Sequence, residues 1–177
     1  MRRFLDRLYA ASAWLAAICL ASIALVMLAQ AGMREFGLLL RGADDIVGWL
    51  CAASAFLALG HTFRHGELVR VGILIDRLAP AVRRRAEFLA LGCAVLVVGY
   101  ILWASAGFVY QSWAFEEVAQ GLIQIPIWIP QMSFVLGALL FFIALADEFI
   151  VLATGGTPAY RRAEESHRAG ADLEEAP

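Results

Sequence analysis

The chain has 177 residues, of which 62% are hydrophobic and 17% charged, and its mean hydropathy is +0.73. This composition lies far from the globular norm, so it excludes a soluble domain and indicates a membrane protein. The net charge of −2 is small, and no nucleic-acid partner is expected.

Four long stretches contain no Asp, Glu, Lys or Arg. They cover residues 8–33, 46–63, 88–115 and 118–146. A helix needs about 20 apolar residues to cross a ~30 Å hydrocarbon core, and each stretch is near or above that length. The pattern predicts an all-α membrane protein whose four transmembrane helices form one domain over residues 1–153.

The first predicted helix covers residues 8–32. Arg2 and Arg3 resemble the basic start of a signal peptide, but the apolar run is much longer than the usual ~7–15 residues, so we interpret it as an uncleaved span. Small residues recur along it at helical spacing, as suits either a seam for a partner helix or a generic alanine-rich helix. This stripe consists of Ala13, Ala17, Ala21 and Ala24.

Asp44 and Asp45 mark the start of the second predicted helix, residues 43–63. Asp is favoured at helix N-termini because its charge meets the positive end of the helix dipole. Trp49 lies one to two turns further along, at the depth of an interfacial aromatic belt.

The loop between the second and third helices has the pattern of a short amphipathic helix. Over residues 68–79, apolar side chains recur at i, i+3, i+4 and i+7, whereas Arg70 is charged. We predict an interfacial helix there, on the cytoplasmic surface. The three arginines at 83–85 follow it and are expected to meet anionic lipid headgroups.

The third and fourth predicted helices cover residues 86–113 and 130–152. Gly92 and Gly99 give the third helix a small face that suits close packing. After the fourth helix, residues 154–177 are rich in Ala and Glu, and they are predicted to form a solvated cytoplasmic tail.

Two prolines define the loop before the fourth helix. Pro126 and Pro130 flank Trp128, and a residue that precedes proline is biased away from helix. We therefore expect residues 121–129 to form an extended outer loop and Pro130 to lie near the first turn of the last helix.

The arginines predict the orientation in the membrane. All 14 cations are arginines, and 12 of them fall on one side if the chain crosses four times. Only Arg34 and Arg41 fall on the other side. Because positive residues concentrate in cytoplasmic loops, both termini are predicted to be cytoplasmic.

The titratable residues offer little chemistry within the spans. The centres of all four predicted helices lack Asp, Glu, Lys, Arg and His, although transporters usually carry such groups at mid-membrane. His61 and His65 are interpreted as interfacial residues, because no other span supplies a facing histidine for a metal or haem. Asp147 and Glu148, in the last turns of the fourth helix, could pair with arginines of the inner loop or the N-terminus. We interpret them as a solvated helix end rather than a link to a partner.

Three segments, in this order, resemble the small membrane subunit of tripartite ATP-independent periplasmic (TRAP) transporters, the DctQ-like family. They are Asp-Asp-Ile-Val-Gly-Trp at 44–49, Phe-Arg-His-Gly-Glu-Leu-Val-Arg-Val at 63–71 and Ile-Pro-Ile-Trp-Ile-Pro at 125–130. The resemblance covers roughly residues 4–152. One departure is the Leu-Val-Arg-Val-Gly at 68–72, which lacks a His and an Asp that are frequent in the family.

The resemblance implies a scaffold subunit of the bacterial inner membrane, not an enzyme, with no catalytic residue, metal or cofactor. Its implied partners are the lipid bilayer, a large permease subunit and a periplasmic substrate-binding protein, which together take up a small carboxylate by symport. Candidate structural or interface positions are Asp44, Asp45, Trp49, Arg64, Arg70, Pro126, Trp128 and Pro130.

Two alternative functions remain at this point. One is a four-helix membrane enzyme of the glutathione-using type, for which Arg64 and Arg70 are the only candidate site residues. The other is a haem-bearing membrane anchor of a respiratory complex, in which His61 and His65 would have to supply the haem ligands.

Overall fold

The computed structural model describes residues 2–65 and 80–156. These residues form α1 (Arg2–Glu35), α2 (Ala43–Arg64), α3 (Pro80–Ala114) and α4 (Trp128–Ala153). Each helix is long and apolar enough to cross a membrane. The predicted all-α fold with four transmembrane helices is therefore confirmed. The predicted interfacial helix at 68–79, Arg70 and the tail beyond residue 156 lie outside the described residues.

Two of the helices are longer than the charge-free stretches suggested. α1 has 34 residues and α3 has 35, and α3 begins at Pro80 rather than at residue 86. At 1.5 Å per residue each is about 50 Å long, against a ~30 Å hydrocarbon core. They must therefore tilt or extend past the hydrocarbon. The parts of a helix that lie in the headgroup region can contain charged residues such as Arg84.

Glycine ends two of the helices in the same way. Gly37 follows α1 and Gly155 follows α4, both with a positive φ, of 72° and 85°. The next amide in each case bonds back five residues, Leu38 N to Met33 O at 2.9 Å and Gly156 N to Val151 O at 2.9 Å. This is the Schellman ending, which glycine favours because its φ is unrestricted.

The four helices pack in a row rather than in a closed bundle. Within the described residues, the three extensive contacts are α1 with α2, α2 with α4, and α4 with α3. The order across the layer is therefore α1, α2, α4, α3. The two central helices each have two neighbours, whereas α1 and α3 form the edges.

Small residues allow the central helices to approach closely. A Cβ at Gly137 of α4 would lie 2.5 Å from the backbone carbonyl carbon of Phe56 in α2. Gly60 of α2 lies between Tyr9 of α1 and the backbone of Leu140 in α4. Lipid gives helices no hydrophobic reason to associate, so close packing of this kind supplies the attraction.

The predicted small face of α3 packs inside this chain. A Cβ at Gly99 would lie 3.0 Å from the ring of Phe142 in α4, and a Cβ at Gly92 would lie 3.4 Å from the ring of Phe149. The two pairs are seven residues apart on both helices, so one stripe of α3 lies along one stripe of α4. These glycines therefore serve the α3–α4 contact.

One buried cluster contains residues from all four helices and so shows the direction in which each helix runs. Tyr9, Phe63, Leu91 and Leu152 belong to one buried cluster. They lie near the start of α1, the end of α2, the start of α3 and the end of α4. The helices thus alternate in direction. We name this end of the molecule the arginine-rich end, because Arg64 and the arginines at 83–85 lie there, and the other the opposite end.

The edge helices present broad apolar faces. Trp14 of α1 and Trp103 of α3 are both 73% exposed. The small-residue stripe of α1 is also largely uncovered, since Ala17, Ala21 and Ala24 are exposed while Ala16 packs on α2. Exposed surfaces of this size indicate contact with lipid or with another membrane protein.

Candidate functional site

At the opposite end, Asp45 ties the start of α2 to the loop between α3 and α4. The Leu122 N–H donates a hydrogen bond of 2.9 Å to Asp45 Oδ2, across 77 residues of sequence. The sequence suggested only that Asp45 complements the helix dipole. The structure shows that it also binds the loop. The N-cap position of α2 is Gly42, and no side chain caps the helix there.

Two glycines make this contact possible. A Cβ at Gly121 would overlap the Asp45 carboxylate, and a Cβ at Gly42 would overlap the side chain of Ile123. Gly42 also has a left-handed backbone, with φ of 82°. We call this set, Gly42, Asp45, Gly121, Leu122 and Ile123, the loop junction.

The α3–α4 loop folds back on itself instead of being simply extended. Ala119 N bonds to Ile125 O at 2.8 Å, and Ile127 N bonds to Glu117 O at 3.0 Å. A single antiparallel bridge pairs Val118 with Pro126. The loop therefore reaches α4 as a narrow hairpin-like turn.

The turn out of α3 requires an unusual backbone. Glu116 has φ of +51°, the one positive value at a non-glycine among the described residues. The next amide, Glu117 N, bonds to Ser112 O at 3.0 Å, so Glu116 occupies the position that glycine takes after α1 and α4. The buried Ser112 hydroxyl donates to Glu117 Oε2 at 2.8 Å, which fixes this turn.

The predicted proline and tryptophan positions surround this loop. Trp128 is the first residue of α4, and Pro130 lies in its first turn, as expected. Trp128, Pro126 and Trp113 line one surface pocket. Trp49 is the seventh residue of α2 and lies half-buried at the same end. Tryptophans gathered at one level suit an interfacial belt.

Arg64 anchors α2 to α1 at the arginine-rich end. Its Nη1 lies 2.8 Å from Asp6 Oδ1, and its guanidinium carbon lies 5.2 Å from the centre of the Tyr9 ring. The Arg64 side chain is only 13% exposed. A cation held over an aromatic face and paired with a carboxylate stabilises the contact of the two helices.

Glu148 differs from its predicted environment. It is 2% exposed, so the interpretation of Asp147–Glu148 as a solvated helix end is wrong for Glu148. The reason lies in the neighbouring helices: Leu145 and Leu152, one turn to either side on the same face of α4, belong to the buried cluster with Tyr9 and Phe63. Position 148 is thereby directed into the molecule.

His61 and His65 stack on each other instead of facing another helix. Their ring centres are 4.0 Å apart, and His65 Nδ1 lies 2.9 Å from the carbonyl oxygen of His61. In the part of the chain that the structure describes, no three His, Cys, Asp or Glu side chains are grouped to hold a metal. The arrangement gives no support to a haem or metal site.

The candidate positions thus fall into two groups. Six of them lie at the opposite end: Asp44, Asp45, Trp49, Pro126, Trp128 and Pro130. Arg64 lies at the other end of α2. Sequence reasoning missed the Leu122 amide and Tyr9, and it assigned Glu148 to the wrong environment. Gly42 and Gly121 were the available signals for the loop junction, but glycine alone does not reveal its contact.

The contacts described above fasten helices and a loop at both ends of an apolar layer. No curated protein matches the chain. The family described as tripartite ATP-independent periplasmic transporters, DctQ component, matches residues 23–155. This range is most of the chain and includes α2, α3, α4 and the loop junction. The chain therefore belongs to the DctQ family, the small membrane component of TRAP transporters.

Proposed function

We propose that this chain scaffolds a large permease subunit during ion-coupled uptake of a small carboxylate. A periplasmic binding protein delivers the substrate, and the complex resides in the bacterial inner membrane. Family membership supports the association with both partners. The observation that carries the scaffold role is the placement of charge, which is confined to the two ends of the layer.

The interior of the layer offers no charged side chain to hold a carboxylate or a coupling ion. Among the described residues, the buried or ion-paired charged groups lie at the arginine-rich end: Asp6, Arg64, Arg83, Glu87 and Glu148. The loop junction with Asp45 lies at the opposite end. Between them the spans contain no charged residue. Substrate and ion pathways at mid-membrane are commonly marked by such groups, so we assign both sites to the large subunit.

The row of helices supports the same proposal. The edge helices α1 and α3 each pack on only one neighbour extensively within the described residues. Ala17 and Ala21 of α1 lie exposed, and small residues allow another helix to approach closely. A row of helices with uncovered edges suits a subunit that lies against a larger membrane protein.

The orientation is part of the proposal. We place the arginine-rich end and both termini in the cytoplasm, because 12 of the 14 arginines then lie on that side. The loop junction then faces the periplasm, where the binding protein docks on the complex.

Deletion of the coding sequence tests this function directly. Uptake of labelled dicarboxylates, keto acids and sugar acids is compared in the parent, the deletion strain and the deletion strain complemented with this chain. We expect one substrate class to lose uptake on deletion and regain it on complementation, while an immunoblot shows the large subunit still present. Unchanged uptake of every substrate in the deletion strain would refute the proposal.

A further inference from the structure

A groove opens between α3 and α4 at the arginine-rich end. Its volume is about 680 Å³, within the ~300–1,000 Å³ range of small-molecule sites. Two arginines and an apolar wall line it together. The lining residues are Arg84, Arg85, Phe88, Leu89, Leu152 and Ala153.

The apolar wall is fixed by packing between the two helices. The rings of Phe88 and Phe149 lie 4.8 Å apart, and Gly92 lets Phe149 approach α3. Leu152 is buried in the core cluster, so its position is set by the fold. Leu89 and Ala153, in contrast, are exposed and leave the groove open towards the surroundings.

The three neighbouring arginines do not behave alike. Arg83 Nε lies 3.2 Å from Glu87 Oε1, an i,i+4 ion pair along α3. Arg84 and Arg85 are exposed and form no ion pair with the residues that the structure describes. Arg84 reaches across to α4, where its Nη2 lies 3.6 Å from the position of a Cβ on Gly155. Within residues 2–65 and 80–156, two arginines without an ion-pair partner thus border an apolar slot.

We propose that this groove binds one anionic phospholipid. Its phosphate would accept hydrogen bonds from Arg84 and Arg85, since guanidinium groups match phosphate oxygens in pairs. An acyl chain would lie along Phe88, Leu89 and Leu152. Basic pockets between membrane helices on the cytoplasmic side suit such lipids. Because Arg84 comes from α3 and the far wall from α4, the lipid would join the edge helix to the layer.

This site differs from a general attraction between arginines and the membrane surface. General attraction depends on charge alone, whereas binding in the groove also requires free space for the acyl chain beside Ala153 and Leu89. All the residues that line the groove belong to this chain, so the lipid site stands or falls independently of the transport role.

Native mass spectrometry of the purified chain tests the proposal. The chain is titrated with phosphatidylglycerol and, separately, with phosphatidylcholine of identical acyl chains. We expect one phosphatidylglycerol to be retained in preference to phosphatidylcholine. The double variant R84Q/R85Q should weaken its retention by roughly 25-fold, since each arginine near the surface contributes about fivefold. Ala153→Trp fills the groove without a change of charge, and it should also lower retention.

The matched control is R34Q/R41Q, which removes two exposed arginines at the opposite end. It should retain phosphatidylglycerol like the wild type. Equal losses in both double variants would show attraction by net charge and overturn the proposal. Full retention by Ala153→Trp would also overturn it, as would loss of the lipid when the large subunit is co-purified, since the partner would then occupy the groove.

Discussion

Asp45 shows how one side chain can position a whole loop. Its carboxylate accepts the Leu122 N–H at 2.9 Å, and Gly121 leaves the space that this requires. A hydrogen bond to a charged group contributes about 1.5–3 kcal/mol when buried and less at an exposed site. The bond therefore matters for loop order more than for the stability of the helices.

Replacing Asp45 by alanine should loosen the loop junction. We expect hydrogen–deuterium exchange at the Leu122 amide to become about fivefold to tenfold faster, which corresponds to about 1 kcal/mol of lost protection. Gly121→Ala should have the same effect by a different route, because its Cβ would displace the Asp45 carboxylate.

Asp44→Ala is the matched control. It removes the same charge from the same turn, but Asp44 accepts only a long bond of 3.4 Å from Gln30. Exchange at Leu122 should stay near the wild-type rate in this variant. Equal acceleration in the Asp44 and Asp45 variants would mean that charge at the helix start, not the bond, orders the loop.

For single residues, the sequence indicated which positions are important but not which contacts they make. Asp44 and Asp45 stood out as a helix start, but their contacts join segments that no local pattern connects. Glu148 was misjudged because it lies near a helix end, where exposure is usual. Its burial depends on which face of α4 meets α2 and α3, and that is a property of the assembled layer.

Glycines lie in the contacts between the helices. The atoms that a Cβ would meet differ from one glycine to the next in how easily they can move aside. A Cβ at Gly137 would meet the Phe56 backbone at 2.5 Å, and one at Gly99 would meet the Phe142 ring at 3.0 Å. A Cβ at Gly107 has no atom within 4 Å. Backbone in a packed helix cannot move aside, whereas a ring can rotate, so the same substitution should have graded effects.

The three glycine-to-alanine variants should therefore differ in their free energy of unfolding. We expect Gly137→Ala to cost about 2–3 kcal/mol, Gly99→Ala about 1 kcal/mol or less, and Gly107→Ala nothing, because alanine is the better helix former where space is free. Unfolding of the purified chain in detergent by added denaturing surfactant measures the order. A Gly107→Ala variant as unstable as Gly137→Ala would contradict the packing described here.

The sequence was informative about which surfaces suit close packing, but not about what they pack on. Gly92 and Gly99 were recognised as a small face of α3, and the structure pairs them with α4. The alanines at 17 and 21 looked equally suitable and stay exposed. Residue size permits close approach on any side, so the partner is decided only when all the helices compete for contacts.

For the whole molecule, four spans were predictable because a bilayer imposes a minimum apolar length on each helix. Their order across the layer was not. α2 and α4 occupy the middle, where Gly60 and Gly137 lie in the contact between them and Gly60 also meets Tyr9 of α1. The family resemblance was also recognisable from three separated segments, and the match over residues 23–155 confirms it.

The proposed orientation makes a labelling prediction. With Cys19, Cys51 and Cys93 replaced by alanine, single cysteines are introduced at Gly37, Val82, Gln120 and His167. A membrane-impermeant thiol reagent added to intact cells should label positions 37 and 120 only. Positions 82 and 167 should react after the membrane is opened, since 12 of the 14 arginines lie on their side. Labelling at position 82 in intact cells would invert the proposed topology.

In the proposed transporter this chain is required for uptake but holds neither the substrate nor the ion. Its charged residues lie at the two ends, and its spans have none between them. Reconstitution in liposomes under a sodium or proton gradient, with the binding protein and labelled substrate present, separates the contributions. We predict uptake only when this chain and the large subunit are reconstituted together. Gradient-driven uptake, or specific substrate binding, by this chain alone would contradict the account.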